Sequence, residues 1–128
     1  MNTQKKEKIQ VLSSEALNQL IIDSIQDIKG KDIVKLDLRN LHDAPTDFFI
    51  VCHGDSNTQV KSIADNIYKR VKLEGDTLPN HFEGQQTAQW ILVDYFETVV
   101  HIFYHETRSF YELEDLWSDA IFTEYKNL

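Results

Sequence analysis

The sequence predicts an α/β (α+β) protein: a single domain in which a mixed β-sheet of about four to five strands is flanked by helices. Three observations predict this class. Two long segments repeat apolar residues at helical spacing. Short runs rich in valine, isoleucine, leucine and phenylalanine lie between and after those segments, as β-strands require. The length of 128 residues suits one domain with its own core.

Two long helices are predicted, one before and one after the first pair of strands. Between residues 14 and 29 the apolar side chains fall on one face, and Ser13 or the next serine can cap the start. The second helix starts after Ser56, which forms a capping-box pattern with Gln59, and it ends at Gly75. Both segments therefore carry a start signal and an apolar stripe.

The strand signals differ in kind. Residues 32–38 alternate apolar and charged side chains, which is typical of a half-buried strand. Residues 48–52 are continuously apolar, as expected of a strand covered on both faces. The runs 90–95 and 98–103 are separated only by Phe96-Glu97, which predicts an antiparallel hairpin. Further along the chain, the pattern of residues 118–125 predicts a C-terminal helix. Strands are predicted at 32–38, 48–52, 90–95 and 98–103, with a short edge strand within 80–84.

Polar residues dominate the start of the chain, and we predict a flexible segment at 1–12 followed by a single domain at 13–128. No apolar run of signal-peptide length follows the early lysines, and no stretch reaches the roughly 18 apolar residues that a membrane span needs. The single cysteine, Cys52, cannot form an internal disulfide, which is typical of a reducing compartment. The sequence therefore predicts a cytoplasmic protein without a membrane partner.

The net charge of −8 bears on the kind of partner. Such a chain is repelled by bare phosphate, which argues against nucleic acid as its main ligand and favours a basic protein. The same charge is also compatible with a surface that is acidic only for solubility. Composition leaves both interpretations open.

Histidine and cysteine do not form a metal site or a nucleophile pair in this pattern. His101 and His105 lie four residues apart, but on a strand that spacing separates the side chains by roughly 13 Å. Cys52 and His53 are adjacent, so on a strand they point to opposite faces. Structural or solvated roles are favoured for the histidines, and no cofactor is predicted.

The Gly54-Asp55-Ser56 segment, between a strand and a helix, suggests a different chemistry. A Gly-Ser pair at that place begins the phosphate-binding element of nucleotidyltransferases. Those enzymes also need two acids, one residue apart on a later strand, to hold Mg²⁺. Here Asp94 is followed by Tyr95 and Phe96, so the second acid of the pair is missing. A helix cap is the favoured interpretation, and no enzymatic activity is predicted.

Three stretches together resemble a known family. They are "TDFFIVCHGDS" (46–56), "EG" (83–84) and "WILVDYFETVVHIFYHETRSFYELEDLW" (90–117). In this order they resemble the ribosomal silencing factor family, the Iojap-like proteins, over roughly residues 14 to 120. One departure is Phe96, which stands where the family usually has a glycine in the hairpin turn.

The resemblance implies a nucleotidyltransferase-like topology and a specific partner. Family members bind the large ribosomal subunit, chiefly through its fourteenth protein, at the face where the small subunit docks. They thereby block subunit joining and lower translation when nutrients are short, and contact with ribosomal RNA is expected to be minor. Two alternatives stay open: an assembly factor for the large subunit, and an enzyme of the nucleotidyltransferase type. The oligomeric state also stays open, a homodimer included.

The resemblance also assigns the residues expected to bind the ribosomal protein. Residues 108–117 are taken as one helix, in which Phe110, Leu113 and Leu116 are expected to pack inward. Tyr111, Glu114 and Trp117 are expected to border the docking surface. The expected binding residues are Trp90, Asp94, His101, Arg108, Tyr111, Glu114 and Trp117.

Overall fold

A computed structural model of the protein describes residues 12–128. Most of the segment predicted to be flexible, 1–12, lies outside the described residues. Its last residue, Leu12, is partly buried and packs against the main core cluster. Among the described residues, no helix combines the length and the apolar character that crossing a membrane requires.

The centre of the molecule is a six-stranded mixed sheet with the order β3-β4-β5-β2-β1-β6. The two central strands, β2 and β5, pair in parallel, and every other neighbouring pair is antiparallel. This confirms the predicted α+β class with a mixed sheet. The strands are β1 Lys31–Asp37, β2 Phe48–Gly54, β3 His81–Glu83, β4 Trp90–Asp94, β5 Thr98–Tyr104 and β6 Ile121–Tyr125.

Two long helices cover one face of the sheet. They are α1, Ser14–Asp27, and α2, Asn57–Gly75. Their isoleucine, leucine and valine side chains form the main core cluster with residues of the strands beneath them. Ser13 caps α1 by accepting a hydrogen bond from the amide of Ala16, and Ser56 caps α2, so the predicted starts of both helices are confirmed.

Among the described residues, the opposite face of the sheet has less cover. This consists of two short helices, α3 His105–Tyr111 and α4 Leu113–Leu116, and of the loop 38–47. Leu113 of α4 and Leu41 of the loop pack onto a second, smaller core cluster. Neither short helix reaches the length of α1 or α2, so the side chains of β4 on this face remain half-buried.

The predicted C-terminal helix at 118–125 is wrong, because Ile121–Tyr125 forms strand β6. β6 pairs antiparallel with β1, so that Phe122 lies opposite Leu36 and Tyr125 lies opposite Ile33. The segment is rich in β-branched and aromatic residues, and the outer edge of β1 offers an unpaired row of backbone groups. Tertiary pairing therefore outweighs the local helical pattern, and the sheet has six strands rather than four to five.

The β4–β5 hairpin has the predicted two-residue loop with an uncommon backbone. The amide of Tyr95 donates to the carbonyl of Thr98, and the amide of Glu97 donates to the carbonyl of Tyr95 at 3.0 Å. Phe96 between them has φ 73°, a conformation that favours glycine. Two side chains hold this loop: the Asp94 carboxylate accepts from the amide of Phe96, and the Thr46 hydroxyl donates to its carbonyl.

Gly84 is needed where the chain approaches the start of β4. Its φ is 94°, and a Cβ atom there would collide with the carbonyl oxygen of Trp90. We expect Gly84→Ala to lower the free energy of unfolding by about 2–4 kcal/mol, because it combines backbone strain with a steric clash. Denaturant unfolding measures this change.

Ala88 supplies the control, since it has a positive φ in the same loop. Ala88→Gly is expected to change the stability by less than about 1 kcal/mol. An equal loss for both variants would contradict the role assigned to Gly84.

Candidate docking surface

Trp90, the first residue of β4, organises an aromatic cluster on the partly covered face. Its indole ring lies 4.8 Å from the ring of Phe103 and 4.8 Å from that of Tyr111, measured between centroids. Its Nε1–H donates to Nδ1 of His101 at 3.0 Å. The aromatic cluster consists of Phe49, Trp90, His101, Phe103, Tyr111 and Trp117.

Side chains along β4 alternate between the two faces of the sheet. Ile91 and Val93 are fully buried against the layer of α1 and α2. Trp90, Leu92 and Asp94 point the other way and are half-buried. We call the surface formed by these three residues and Tyr111 the open face. It is apolar along its middle, aromatic at one end and acidic at the other.

His101 is buried beneath the open face and is neutral. Its side chain is only 5% exposed, and burial lowers its pKa from 6.5 to about 4. Because Trp90 can only donate, Nδ1 of His101 must be the acceptor, and the proton lies on Nε2. Within residues 12–128, Nε2 has no hydrogen-bond partner. This histidine therefore fixes the orientation of Trp90 rather than contributing charge.

Arg108 and Glu114 form a separate network beside the ends of β1 and β2. Both terminal nitrogens of the Arg108 guanidinium make short contacts: Nη2 lies 2.7 Å from Oε2 of Glu114, and Nη1 lies 2.9 Å from Nδ1 of His53. Nη1 also donates to the carbonyl of Lys31. The Arg108 side chain is 12% exposed and that of Glu114 is 26% exposed. The ion pair therefore joins α3 to α4, and the contacts of Arg108 with His53 and Lys31 join α3 to the sheet.

The network borders a cleft of about 730 Å³ at the carboxyl ends of the parallel strands. The rings of His53 and His105 lie 6.5 Å apart in it, and burial, followed by the nearby Arg108 charge, lowers the pKa of His53. Among the described residues, no group of histidine, cysteine and acidic side chains is arranged to hold a metal ion. Acidic side chains also line the cleft: Asp32, Glu112, Glu114, Asp115 and Glu124.

The Gly54-Asp55-Ser56 segment serves as a helix cap, as predicted. The hydroxyl of Ser56 accepts from the amide of Gln59 at 3.1 Å. The carboxylate of Asp55 pairs with Lys31 at 2.7 Å, and the amide of Asp55 donates to the Gln59 side chain. These groups are thus engaged in holding α2 against β1.

The predicted inward face of residues 108–117 is only partly correct. Leu113 is buried, but Phe110 is 80% exposed and Leu116 is 74% exposed, whereas Trp117 packs inward on Phe49. The helix is interrupted at Glu112, which has φ 49°. This break changes the helical phase, so a face predicted for one continuous helix no longer holds.

The seven predicted binding residues thus fall into two groups. Trp90, Asp94 and Tyr111 lie on the open face, with His101 and Trp117 beneath or beside them in the aromatic cluster. Arg108 and Glu114 lie in the cleft. Leu92 also lies on the open face, although it is not among the predicted binding residues. Its alternation with Trp90 and Asp94 along one strand was the signal that could have identified it.

The fold and this geometry define a small α+β domain with a partly covered aromatic surface, a feature that is common at protein–protein interfaces. A family model described as "Ribosomal silencing factor during starvation" matches residues 11–128. The chain belongs to this family, which confirms the resemblance and connects the protein with the regulation of translation.

Individual relatives agree with that assignment. A ribosomal silencing factor from Halalkalibacterium halodurans is 36% identical over 109 residues, which are 85% of this chain and 92% of the relative. The crystal structure of a Chromobacterium violaceum protein superposes with a TM-score of 0.79 at 36% identity, covering 84% of this chain and 88% of that one. "Mitochondrial assembly of ribosomal large subunit protein 1" of Mus musculus is 33% identical over 76 residues, covering 57% of this chain and 33% of that protein.

The Arg108–Glu114 pair in the cleft is expected to stabilise the fold. Glu114→Gln removes the negative charge and leaves the largely buried Arg108 without its counter-charge, so we expect a loss of about 1–3 kcal/mol in the free energy of unfolding. Chemical denaturation measures it. Asp115→Asn, at the exposed neighbouring position, is the matched control and should change the stability little. Equal stability of Glu114→Gln and the wild type would show that the pair is not structural.

The buried His101 is expected to make the stability of the protein depend on pH. The unfolded chain protonates this imidazole near pH 6.5, and the folded chain does so only near pH 4, so acidification between these values favours unfolding. The contribution to the free energy of unfolding that is lost over this window is about 3 kcal/mol.

Unfolding of the wild type and of His101→Asn should be compared between pH 7 and pH 4. The asparagine carbonyl can still accept from Trp90 but does not titrate, so the difference between the two proteins should shrink as the pH falls. A difference that is independent of pH would contradict the assignment.

Proposed function

We propose that this protein binds the large ribosomal subunit through its fourteenth protein and thereby prevents the small subunit from joining. The observation that carries the proposal is the open face, where the rings of Trp90 and Tyr111 pack against each other beside the half-buried side chains of β4. The family description, "Ribosomal silencing factor during starvation", supports the ribosome as the target.

The open face has the composition of an energetically effective interface. Tryptophan and tyrosine are enriched among the residues that dominate binding energy. Trp90 is held by its hydrogen bond to His101, and Tyr111, which is 51% exposed, packs at an angle against the Trp90 ring. Both rings are therefore ordered before any partner arrives, so little conformational entropy remains to be lost on binding.

Charge supports a protein rather than RNA as the main contact. The chain carries −8, and Asp94 lies at the acidic end of the open face. A basic ribosomal protein would be attracted to this surface, whereas exposed RNA phosphate would be repelled. Contact with ribosomal RNA is accordingly minor in the proposed complex, and the protein would work in the compartment that holds bacterial ribosomes, the cytoplasm.

The proposed mechanism is steric and requires no catalysis. A folded domain of 15.0 kDa bound at the joining face excludes the small subunit by its volume. The groups at the Gly54 loop that could have taken part in nucleotide chemistry are engaged in the helix cap and in the pair with Lys31. The names of the relatives describe regulation, which agrees with a non-catalytic role.

One observation favours a second function, the assembly of the large subunit. The Mus musculus relative carries that role in its name. Assembly and silencing would use the same surface but would differ in the particle bound, which is an immature large subunit in the first case and a mature one in the second. Binding to purified mature subunits therefore separates the two.

Sedimentation with separated bacterial subunits tests the proposal. The protein is expected to pellet with mature large subunits and not with small ones, and prior binding should reduce the yield of joined ribosomes in a sucrose gradient. Equal pelleting with both subunits that disappears at moderate salt would indicate charge association alone. Binding without any effect on joining would reject the steric mechanism.

A variant of the open face connects the binding to the structure. We expect Tyr111→Ala to weaken binding to large subunits by about tenfold or more, because it removes an ordered aromatic anchor, while thermal unfolding changes little. Leu73→Ala is the control, since Leu73 is 72% exposed on α2, on the other side of the sheet. If Tyr111→Ala and Leu73→Ala bind equally well, the open face is not the docking surface.

A further inference from the structure

We propose that a cavity at the acidic end of the open face receives one basic side chain, arginine or lysine, from the protein partner. The inference rests on the proposed function and adds to it the chemistry of one contact. The cavity has a volume of about 440 Å³ and lies beside the β4–β5 loop. Its walls combine an aliphatic surface, an exposed aromatic ring and a carboxylate.

The aliphatic part of the cavity suits the stem of a long side chain. Leu92 on β4, Val99 on β5 and Pro45 from the loop 38–47 line it, and Phe49 lies beside them. The methylene groups of arginine and lysine commonly pack along such apolar surfaces while the charged group stays at a polar end. Here the polar end is Asp94.

Asp94 supplies the negative charge. One of its carboxylate oxygens accepts from the amide of Phe96 at 2.7 Å, and among the described residues no lysine or arginine forms an ion pair with it. Because the residue is half-buried, a cation brought to it is less screened than at a fully exposed acid. Asp94 therefore retains an unmatched charge at the end of an apolar channel.

Phe96 supplies an aromatic ring at the mouth of the cavity. The ring is 71% exposed, although the backbone at this position has φ 73°, which is strained for any residue with a side chain. Asp94 and Thr46 hold that backbone. A ring displayed beside a carboxylate attracts a cation both through its π face and through the neighbouring charge.

His101 gives the cavity a second polar feature. It lines the cavity, is buried, and has an Nε2–H donor without a partner within the described part of the chain. This donor suits an oxygen acceptor, such as a main-chain carbonyl next to the inserted side chain. The neutral imidazole also adds no positive charge that would oppose a cation.

Other occupants fit the cavity less well. A phosphate group would be repelled by Asp94, and an apolar side chain would cover that carboxylate without pairing it, which is costly. A basic side chain satisfies the aliphatic wall, the ring and the carboxylate together.

Binding titrations with purified bacterial large subunits test the inference. Asp94→Asn keeps an oxygen that can accept from Phe96 but removes the charge, and we expect it to weaken binding about tenfold at low salt and less at high salt. Phe96→Ala keeps the backbone strain but removes the ring, and a loss of about fivefold is expected. Phe96→Tyr, which retains a ring, should bind like the wild type. Asp65→Asn, at an exposed acid on α2, is the matched control for charge.

The outcomes separate this inference from the proposed function. If the wild type does not bind large subunits, the proposed function fails. If the wild type binds, and Asp94→Asn and Phe96→Ala bind as tightly as the wild type, the proposed function stands but the cavity holds no basic side chain. A photoreactive residue at position 96 gives an independent readout: cross-linking to a peptide that contains arginine or lysine supports the proposal, and cross-linking to ribosomal RNA overturns it.

Discussion

The parallel pairing of β2 with β5 is the constraint on which the rest of the fold depends. Parallel neighbours cannot be joined by a tight turn, so the chain must cross over one face of the sheet, and α2 makes that crossing. Together with α1 it covers this face. Within residues 12–128, the other face receives α3, α4 and a loop, and β4 keeps a row of half-buried side chains there. The open face results from this unequal covering.

Trp90 belongs to the core and to the surface at the same time. One side of its ring contacts Phe103, which is fully buried, and the other contacts Tyr111, which is half-exposed. Its hydrogen bond to His101 places the donor of the indole inside the protein. In the proposed complex, stability and recognition would thus be coupled at this residue, whereas Phe96 and Tyr111 contribute mainly to the surface. Substitutions at Trp90 would mix the two effects, and those at the other two residues separate them.

Local signals predicted the elements that local interactions determine. The cap at Ser56 and the hairpin around Phe96 are confirmed because their partners lie within a few residues. Strand β6 was mistaken for a helix because its pairing partner, β1, lies far away in the chain. The break at Glu112 carries no glycine to mark it, so the exposed position of Phe110 was not predictable.

Strand β6 also has a consequence for how the protein is made. It joins the sheet through β1, so Ile33, near the beginning of the described chain, pairs with Tyr125, near its end. Synthesis proceeds from the N-terminus, so β1 cannot pair with β6 until residues 121–125 have left the ribosome. Such a pairing between distant segments also slows folding, because closing the long intervening chain costs entropy before the contact forms. The strand that completes the sheet of this family member is therefore made about 85 residues after the strand on which it docks.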